Sequence, residues 1–490
     1  MSTTTTPQLE QGLDPQDWND LRKLGHRMID DTFSYLESIG ERPAWQPIPD
    51  NVKRTFADPV PLEPQSATSV YDQFRRNILP YPTGNIHPRF WSWVAGTGTA
   101  GGMLAELLSG AMNSSAHGGD HAAVYVERQV VSWLKQALGY PAEASGLLVG
   151  GGSMANFVGL AVARNAKAGW NVKTDGLANG HRPLTVYCST ETHSSIVKAV
   201  ELLGLGSAAL RHIEVDGDFR IRLDHLRRAV AVDRKCGKDP ICVVGNAGTV
   251  NSGAIDDLTE LADFCQEENL WLHVDGAFGA IPAISPKLRP LLQGMECADS
   301  LAFDLHKWMY MPYDVGCALV RFPKHHRETF GYSAAYLNSQ SRGLAAGPDW
   351  FSHYGLELSR GFRALKVWFS IKEHGLKTYQ ALVEQNVQQA QFLGNLVAGD
   401  RQLELLAPIP LNIVCFRYRG NLADEAALKD VNQEILFRLQ ESGVAAPSGT
   451  VIGGRFAIRV AICNHRSRRE DFELLVREVI RLGNEISEGR

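Results

Sequence analysis

Short apolar runs alternate with amphipathic segments over the middle of the chain, from about residue 91 to 385. Each run has the length of a buried strand, and the segments between the runs have helical spacing. Strands that are apolar on both faces and alternate with helices predict an α/β domain built on a mostly parallel sheet. The predicted strands are 146–149, 185–188, 241–244, 271–274, 300–303 and 317–320, and the helices include 155–168 and 195–203.

The two ends of the chain have different patterns. Residues 1–90 hold polar sequence, an amphipathic helix over 21–36 and a proline-rich stretch. This segment has little to bury by itself, so we expect it to wrap the main domain or a second subunit. Residues 386–490 predict a smaller α+β domain, entered through a long helix over 379–397. Its predicted elements are strands 413–418 and 456–462 and helices near 430–442 and 471–486.

Composition narrows the class of protein. The 490 residues are 44% hydrophobic and 21% charged, with a net charge of −5 and no block of like charge. These values are typical of a globular protein and argue against nucleic acid as a partner. Apolar runs stay below the roughly 18 residues that a membrane span needs. The N-terminus lacks a signal pattern, and the eight cysteines lack CxxC spacing. We therefore expect a cytoplasmic protein with reduced thiols, no metal site and no membrane partner.

Lys307 and Asp275 are the most informative pair of residues, because each follows an apolar segment that predicts a strand. An amine and a carboxylate in one pocket suit pyridoxal 5'-phosphate (PLP). The lysine can form a Schiff base with the aldehyde, and the aspartate can keep the pyridine nitrogen protonated. Either residue alone could equally be a solvated lysine or a strand-end aspartate, so the prediction depends on the motifs around them.

Three such motifs also follow predicted strands. The glycine-rich turn 150–152 and Ser153 open a helix, an arrangement that suits a phosphate group. The turn matches neither the P-loop nor the GxGxxG pattern. His193 could stack on an aromatic ring, and Thr249 follows another strand. Because ligands bind at the carboxyl ends of the strands in open α/β sheets, these residues together predict one PLP site.

On these residues the chain resembles the group II PLP-dependent amino-acid decarboxylases, which act on aromatic amino acids, glutamate, histidine or diaminobutyrate. The resemblance covers about residues 20–485. It implies PLP fold type I, the aspartate-aminotransferase fold, a homodimer clasped by its N-terminal helices, and α-decarboxylation of an L-amino acid. The matching segments are 150–164, 189–195, 271–279, 304–308 and 359–369, with a weaker match at 87–91.

The resemblance also implies individual roles. Lys307 would be the Schiff-base lysine, Asp275 the partner of the pyridine nitrogen and His193 the residue stacked on the ring. The other implied cofactor contacts are Gly152, Ser153 and His306 at the phosphate, Ala277 on the second ring face, and Thr249 and Asp304 nearby.

Two departures from the family pattern bear on the product. Phe351, or Trp350 if the alignment shifts by one, stands where aromatic decarboxylases carry a loop tyrosine proposed to protonate Cα. In plant relatives, phenylalanine at this position goes with oxidative decarboxylation to an aldehyde. Alternatively, Tyr354, His353 or His193 supplies the proton and the product is the amine. Asp304, where aromatic members tend to have asparagine, adds negative charge near the phosphate.

The substrate prediction favours an aromatic amino acid. Trp91, Trp93, Trp350 and Phe351 are the predicted substrate-binding residues, although the upstream tryptophans could instead be core or interface residues. The polar segment 113–121 leaves a small or polar substrate open. We also expect the stretch 334–354 to be a mobile lid. Another PLP lyase, a transaminase or a non-catalytic PLP-binding protein remain alternatives.

Overall fold

The computed structural model describes residues 12–489, except 16, 179 and 333–339. Seven strands of this part of the chain form a central sheet. The strands are β1 (Ser145–Val149), β2 (Leu184–Ser189), β3 (Leu210–Ile213), β4 (Asp239–Asn246), β5 (Trp271–Asp275), β6 (Ser300–Asp304) and β7 (Gly316–Val320). Their order in the sheet is β1-β7-β6-β5-β4-β2-β3, and among them β7 alone runs antiparallel to its neighbours. The prediction of a mostly parallel α/β sheet is confirmed.

All six predicted strands of this region lie within or overlap these seven. The strand that the pattern missed is β3, a four-residue edge strand with two polar residues, whose short run gives little periodic signal. Among the described strands, β3 pairs with β2 alone, in parallel. The strands β5 and β6 are buried along their whole length, as expected for a sheet that helices cover on both faces.

Helices cover the sheet and continue into the flanking segments. Those up to β7 are α1 (Trp18–Glu37), α2 (Asp50–Thr55), α3 (Ala67–Asn77), α4 (Ala100–Met112), α5 (Ala122–Leu138), α6 (Gly152–Lys167), α7 (Val172–Asp175), α8 (Ser194–Leu202), α9 (Leu223–Lys235) and α10 (Leu258–Glu267). Those after it are α11 (Pro323–Phe330), α12 (Ala364–His374), α13 (Leu376–Gly399), α14 (Glu425–Glu441) and α15 (Arg469–Glu488). No helix in the described ranges has the length and apolarity to span a bilayer.

A second sheet of four described strands belongs to the C-terminal α+β unit. The strands are β8 (Leu403–Leu405), β9 (Ile413–Tyr418), β10 (Ser448–Ile452) and β11 (Arg455–Ala461). They pair antiparallel in the order β10-β11-β9-β8. The apolar core of this unit includes residues of α13, α14 and α15 and also Trp91 from far upstream. Helix α13 runs across the predicted boundary at residue 386, so that boundary divides a continuous helix.

The N-terminal segment leaves much of its apolar surface uncovered in the single chain. Helix α1 buries Leu24 and Tyr35, whereas Trp18, Leu21 and Phe33 are exposed. Further exposed apolar residues of this segment are Phe56, Val60, Leu62, Val70, Phe74 and Ile78. The division into 1–90, 91–385 and 386–490 stays a prediction.

Candidate active site

A cavity of about 390 Å³ opens at the carboxyl ends of β4 and β5, where the central sheet meets the C-terminal unit. Asp275 ends β5, Asn246 ends β4, and Lys307 follows β6. Because parallel strands present their carboxyl ends at one edge, residues far apart in sequence converge there. The lining residues are Trp93, Val94, His193, Asn246, Gly248, Val250, Asn251, Asp275, Ala277, Phe278, Lys307, Ser448, Gly449, Thr450 and Arg459.

Asp275 is a buried carboxylate with two local donors. Its Oδ1 accepts from the backbone N–H of Ala277 at 3.1 Å, and its Oδ2 accepts from Asn156 Nδ2 at 3.0 Å. Burial raises the pKa of Asp275, while the charge of Lys307 and these donors act in the opposite direction. Such an aspartate can pair with a protonated ring nitrogen in a place that excludes water.

His193 caps helix α8 from the residue before its first turn. Its Nδ1 lies 2.9 Å from Ser195 Oγ and accepts from the Ser195 backbone N–H at 3.1 Å. Desolvation lowers the pKa of His193, although the charge of Asp275 raises it. Nδ1 is thus occupied by Ser195, and the His193 side chain lines the cavity together with Asp275 and Lys307.

Lys307 pairs directly with Asp304, with 2.8 Å between Nζ and Oδ2. The Asp304 side chain is buried, and among the described residues its Oδ1 has no hydrogen-bond partner. His306 Nε2 lies 3.8 Å from that oxygen, and His306 Nδ1 accepts from the backbone N–H of Val315 at 3.1 Å. Burial lowers the pKa of His306. Two acidic side chains, Asp275 and Asp304, thus flank one amine.

The glycine-rich turn lies against Asp304. A Cβ atom added to Gly152 would stand 2.8 Å from Asp304 Oδ2 and 3.3 Å from Ala277 Cβ, so only glycine permits this approach. Gly152 and Ser153 open helix α6, whose first backbone N–H groups and Ser153 hydroxyl can donate hydrogen bonds to a phosphate group. This cradle, with the amine of Lys307 and the carboxylate of Asp275, fits PLP. Asp304 differs from the rest of this cradle, because it presents a negatively charged carboxylate oxygen beside the turn that would hold the phosphate.

Ala277 and Thr249 have different places at the cavity, because Ala277 lines it and Thr249 lies behind its wall. Thr249 is buried, and its hydroxyl lies 3.0 Å from Ser252 Oγ and accepts from the Ala254 backbone N–H at 3.1 Å. Its side chain therefore holds the turn after β4, and the neighbours Gly248 and Val250 line the cavity.

Three of the four predicted substrate-binding residues lie elsewhere in this chain, and only Trp93 lines the cavity. Trp91 is 1% exposed, stacks on Phe472 with 5.0 Å between ring centroids and donates to Ser467 Oγ at 3.1 Å. It is a core residue of the C-terminal unit. Trp93 has a positive φ of 53° and is 64% exposed, so its indole is turned out of that core.

The predicted loop residues also do not line this cavity. Phe351 is 4% exposed and packs in an apolar cluster with Leu147, Val149 and Ala155. Trp350 packs against His117, with 5.6 Å between ring centroids. Burial raises the pKa of Tyr354 to about 12, and its hydroxyl donates to Asp349 at 2.8 Å. Large apolar side chains on this stretch are drawn into the interior of the chain. Residues 334–339 of the predicted lid lie outside the described part.

Sequence reasoning missed two polar residues of the site, Asn156 and Arg459. Arg459 is buried and donates to the backbone carbonyls of Trp93, Asn251 and Val250, so it joins the cavity wall to β11. Burial lowers its pKa. The available signal was a charged residue in the otherwise apolar run 456–462. Asn156 likewise interrupts the apolar surface of α6.

Comparison with known proteins identifies the family of the chain. The pyridoxal-dependent decarboxylase conserved domain matches residues 49–419. The chain is 33% identical to an aromatic-L-amino-acid decarboxylase of Bacillus atrophaeus, over 96% of both proteins. The structure of Oryza sativa TDC with PLP and tryptamine superposes with a TM-score of 0.89 at 26% identity, covering 97% of this chain and all of that one. Rhodiola rosea 4-hydroxyphenylacetaldehyde synthase gives 0.86 at 25% identity, covering 96% and 100%.

These findings confirm the resemblance, the fold type and the PLP cofactor that the sequence predicted. The family match covers most of the chain, and the bacterial relative is similar over its full length. The chain therefore belongs to the pyridoxal-dependent decarboxylases and is a PLP-dependent lyase of amino acids.

Proposed function

We propose that the protein removes the α-carboxyl group of an aromatic L-amino acid and releases the amine and CO2. The observation that carries this proposal is the convergence of Lys307, Asp275 and His193 on one cavity that Trp93 and Phe278 also line. The indole and the phenyl ring offer apolar surface for an aromatic side chain. The relatives that decarboxylate aromatic amino acids support this substrate class.

The residues of this chain divide the chemistry between them. PLP, when bound, accepts the electron pair that the Cα–carboxylate bond leaves behind. Lys307 supplies the amine that holds the cofactor and returns to displace the product. Asp275 keeps a proton on the ring nitrogen. Of the proton donors weighed from the sequence, His193 lines the cavity, whereas the Tyr354 hydroxyl is bound to Asp349. We therefore assign the return of a proton to Cα to His193 or to the released Lys307.

Aldehyde formation is the second candidate. Within the described residues no tyrosine hydroxyl lines the cavity, and the solved synthase of Rhodiola rosea supports this chemistry as a family option. In that reaction, amino acid, O2 and water give aldehyde, CO2, ammonia and H2O2. Slow protonation at Cα would leave time for O2 to react.

An amino-acid panel tests both candidates. Phenylalanine, tyrosine, tryptophan, glutamate, histidine and 2,4-diaminobutyrate are offered to the PLP-loaded protein, and CO2, amine, aldehyde and O2 uptake are measured together. We expect CO2 and amine in equal amounts from an aromatic substrate, without O2 uptake. Equal amounts of CO2, aldehyde and H2O2 would establish the second candidate instead. Turnover of acidic or basic substrates alone would contradict the aromatic preference.

We also propose that the protein is a homodimer in the cytoplasm. The exposed apolar residues of the N-terminal segment are joined by Leu107, Leu108 and Met112 on α4, and this surface needs a cover. The eight cysteines are all free, which suits a reducing compartment.

Sedimentation equilibrium should give twice the chain mass of 53.9 kDa. Introducing aspartate at both Leu107 and Leu108 should shift the protein toward monomer. The control is Leu202→Asp, which changes an exposed leucine on α8, outside this surface. A monomeric and active wild-type protein would contradict the dimer.

A further inference from the structure

A continuous chain of hydrogen bonds lies beneath the cavity and ends at both Asp275 and His193. We propose that Asn156 is a positioning residue that fixes their protonation, keeping Asp275 as a carboxylate and His193 as a neutral ring with its proton on Nε2. This inference rests on the proposed function of the site and extends it. This hydrogen-bond chain runs from Trp271 through Ser300 and His273 to Asn156. At Asn156 it branches, directly to Asp275 and through Ser195 to His193.

The direction of the chain is set at Trp271. An indole N–H can only donate, and Trp271 Nε1 lies 2.8 Å from Ser300 Oγ. The Ser300 hydroxyl is then free to donate to His273 Nδ1, also at 2.8 Å. Burial lowers the pKa of His273 to about 3, so the ring is neutral and has one N–H group. That proton is on Nε2, which lies 2.9 Å from Asn156 Oδ1.

The orientation of the Asn156 amide follows from this direction. Since Oδ1 accepts from His273, the two protons of Nδ2 point to Asp275 Oδ2 and Ser195 Oγ, each at 3.0 Å. The opposite orientation would set the amide oxygen against a carboxylate oxygen and two N–H groups against each other. Asn156 therefore gives Asp275 a buried donor, which favours the charged form of the carboxyl group.

The second branch reaches His193. Ser195 Oγ accepts from Asn156 and can donate its own proton to His193 Nδ1, which also faces the Ser195 backbone N–H. Two donors on Nδ1 leave no room for a proton there, so the single ring proton is on Nε2. A doubly protonated His193 ring would also carry a proton on Nδ1, and that N–H would point at the backbone N–H of Ser195.

Gly159 leaves the space that the hydrogen-bond chain needs at His273. It lies three residues after Asn156 on α6, and a Cβ atom there would stand 2.6 Å from Cε1 and Nδ1 of His273. Glycine inside a helix is less favourable than alanine, so its presence there needs a reason. The glycine is explained by the space that the His273 ring requires next to Asn156.

Four titratable groups near Asp275 bear on how its pKa would respond to a substitution of Asn156. They are Lys307 and His193 at the cavity, Asp304 beside Lys307, and the neutral His273 below Asn156. Removing the Asn156 donor leaves all four in place and raises the pKa of Asp275. The carboxylate would then take up a proton as the pH falls, at a higher pH than in the wild type, and lose its attraction for a protonated ring nitrogen.

The test measures the dissociation constant for PLP between pH 5.5 and 8.5 by equilibrium dialysis. Asn156→Leu should weaken binding about tenfold more at the acidic end than at the basic end, the effect of one pKa unit. Asn156→Asp has nearly the same shape, guards against misfolding, and should show a larger acidic loss because it adds a charge beside Asp275. The control is Asn165→Leu, the same replacement near the end of the same helix.

In the Asn165→Leu control, the dissociation constant for PLP should depend on pH as it does in the wild type. If the Asn156 variants show that same pH dependence, or weaken PLP binding equally at every pH, the inference is overturned and Asn156 has only a packing role. Those results leave the proposed function intact, since it is judged by the wild-type reaction on the amino-acid panel. Wild-type protein that binds no PLP would overturn both.

Discussion

Replacing Lys307 with alanine is expected to abolish covalent PLP binding and to lower turnover by at least about 10⁴-fold, or about 5.5 kcal/mol of transition-state stabilisation. The physical reason is that Lys307 brings its amine to the cavity that Asp275 also lines, where it pairs with Asp304. Alanine removes the nucleophile that holds the cofactor and later displaces the product. The measurement is borohydride reduction of the PLP-loaded protein, followed by peptide mass analysis at residue 307, alongside amine release.

Lys324→Ala is the matched control for Lys307, because it removes an exposed lysine on α11. Its adduct and turnover should equal those of the wild type. A wild-type protein that, with PLP supplied, gives no adduct at residue 307 would contradict the assignment of Lys307.

Replacing Asp275 with asparagine should lower turnover by about 100-fold or more, which corresponds to about 2.7 kcal/mol. Asparagine is neutral, so it cannot hold a proton on the ring nitrogen, and the cofactor then accepts electrons poorly. The donors from Asn156 and Ala277 would also face an amide in place of a carboxylate. Single-turnover decarboxylation at saturating PLP separates this loss from weaker cofactor binding.

Asp299→Asn controls for Asp275, because Asp299 accepts a backbone N–H from Leu272 and precedes β6 at the other edge of the sheet. Burial raises the pKa of Asp299 as it does that of Asp275. Its replacement should leave turnover within a few-fold of the wild type. Near-normal turnover in Asp275→Asn, with PLP bound, would show that another group protonates the ring.

The structure brings together the candidate site residues that the sequence placed at the carboxyl ends of strands. Asp275, His193 and Lys307 all line one cavity. Asp275 ends β5, and His193 and Lys307 lie a few residues beyond the ends of β2 and β6, so the sheet brings all three to the edge formed by the carboxyl ends of its parallel strands. The predicted strands were accurate for a related reason, since runs buried on both faces leave a clear apolar signal. The short, partly polar β3 leaves none.

The aromatic residues show where pattern reasoning fails. Trp91 and Trp93 are two positions apart, yet the first is buried against Phe472 and the second lines the cavity. Phe351 was expected at the substrate and lies in an apolar cluster. An aromatic side chain suits a core and a binding pocket equally well, so its neighbours in space decide between them.

The sequence by itself determined the α/β class and the PLP cofactor, and it predicted the lysine, aspartate and histidine of the site, because these depend on local runs and on residue type. Only the tertiary structure decided which partners those residues have. It joined Lys307 to Asp304, tied Asp275 and His193 together through Asn156, and brought Arg459 to the cavity from β11. Hydrogen bonds between side chains far apart in the chain depend on ångström-scale packing, which residue patterns along one strand or helix do not encode.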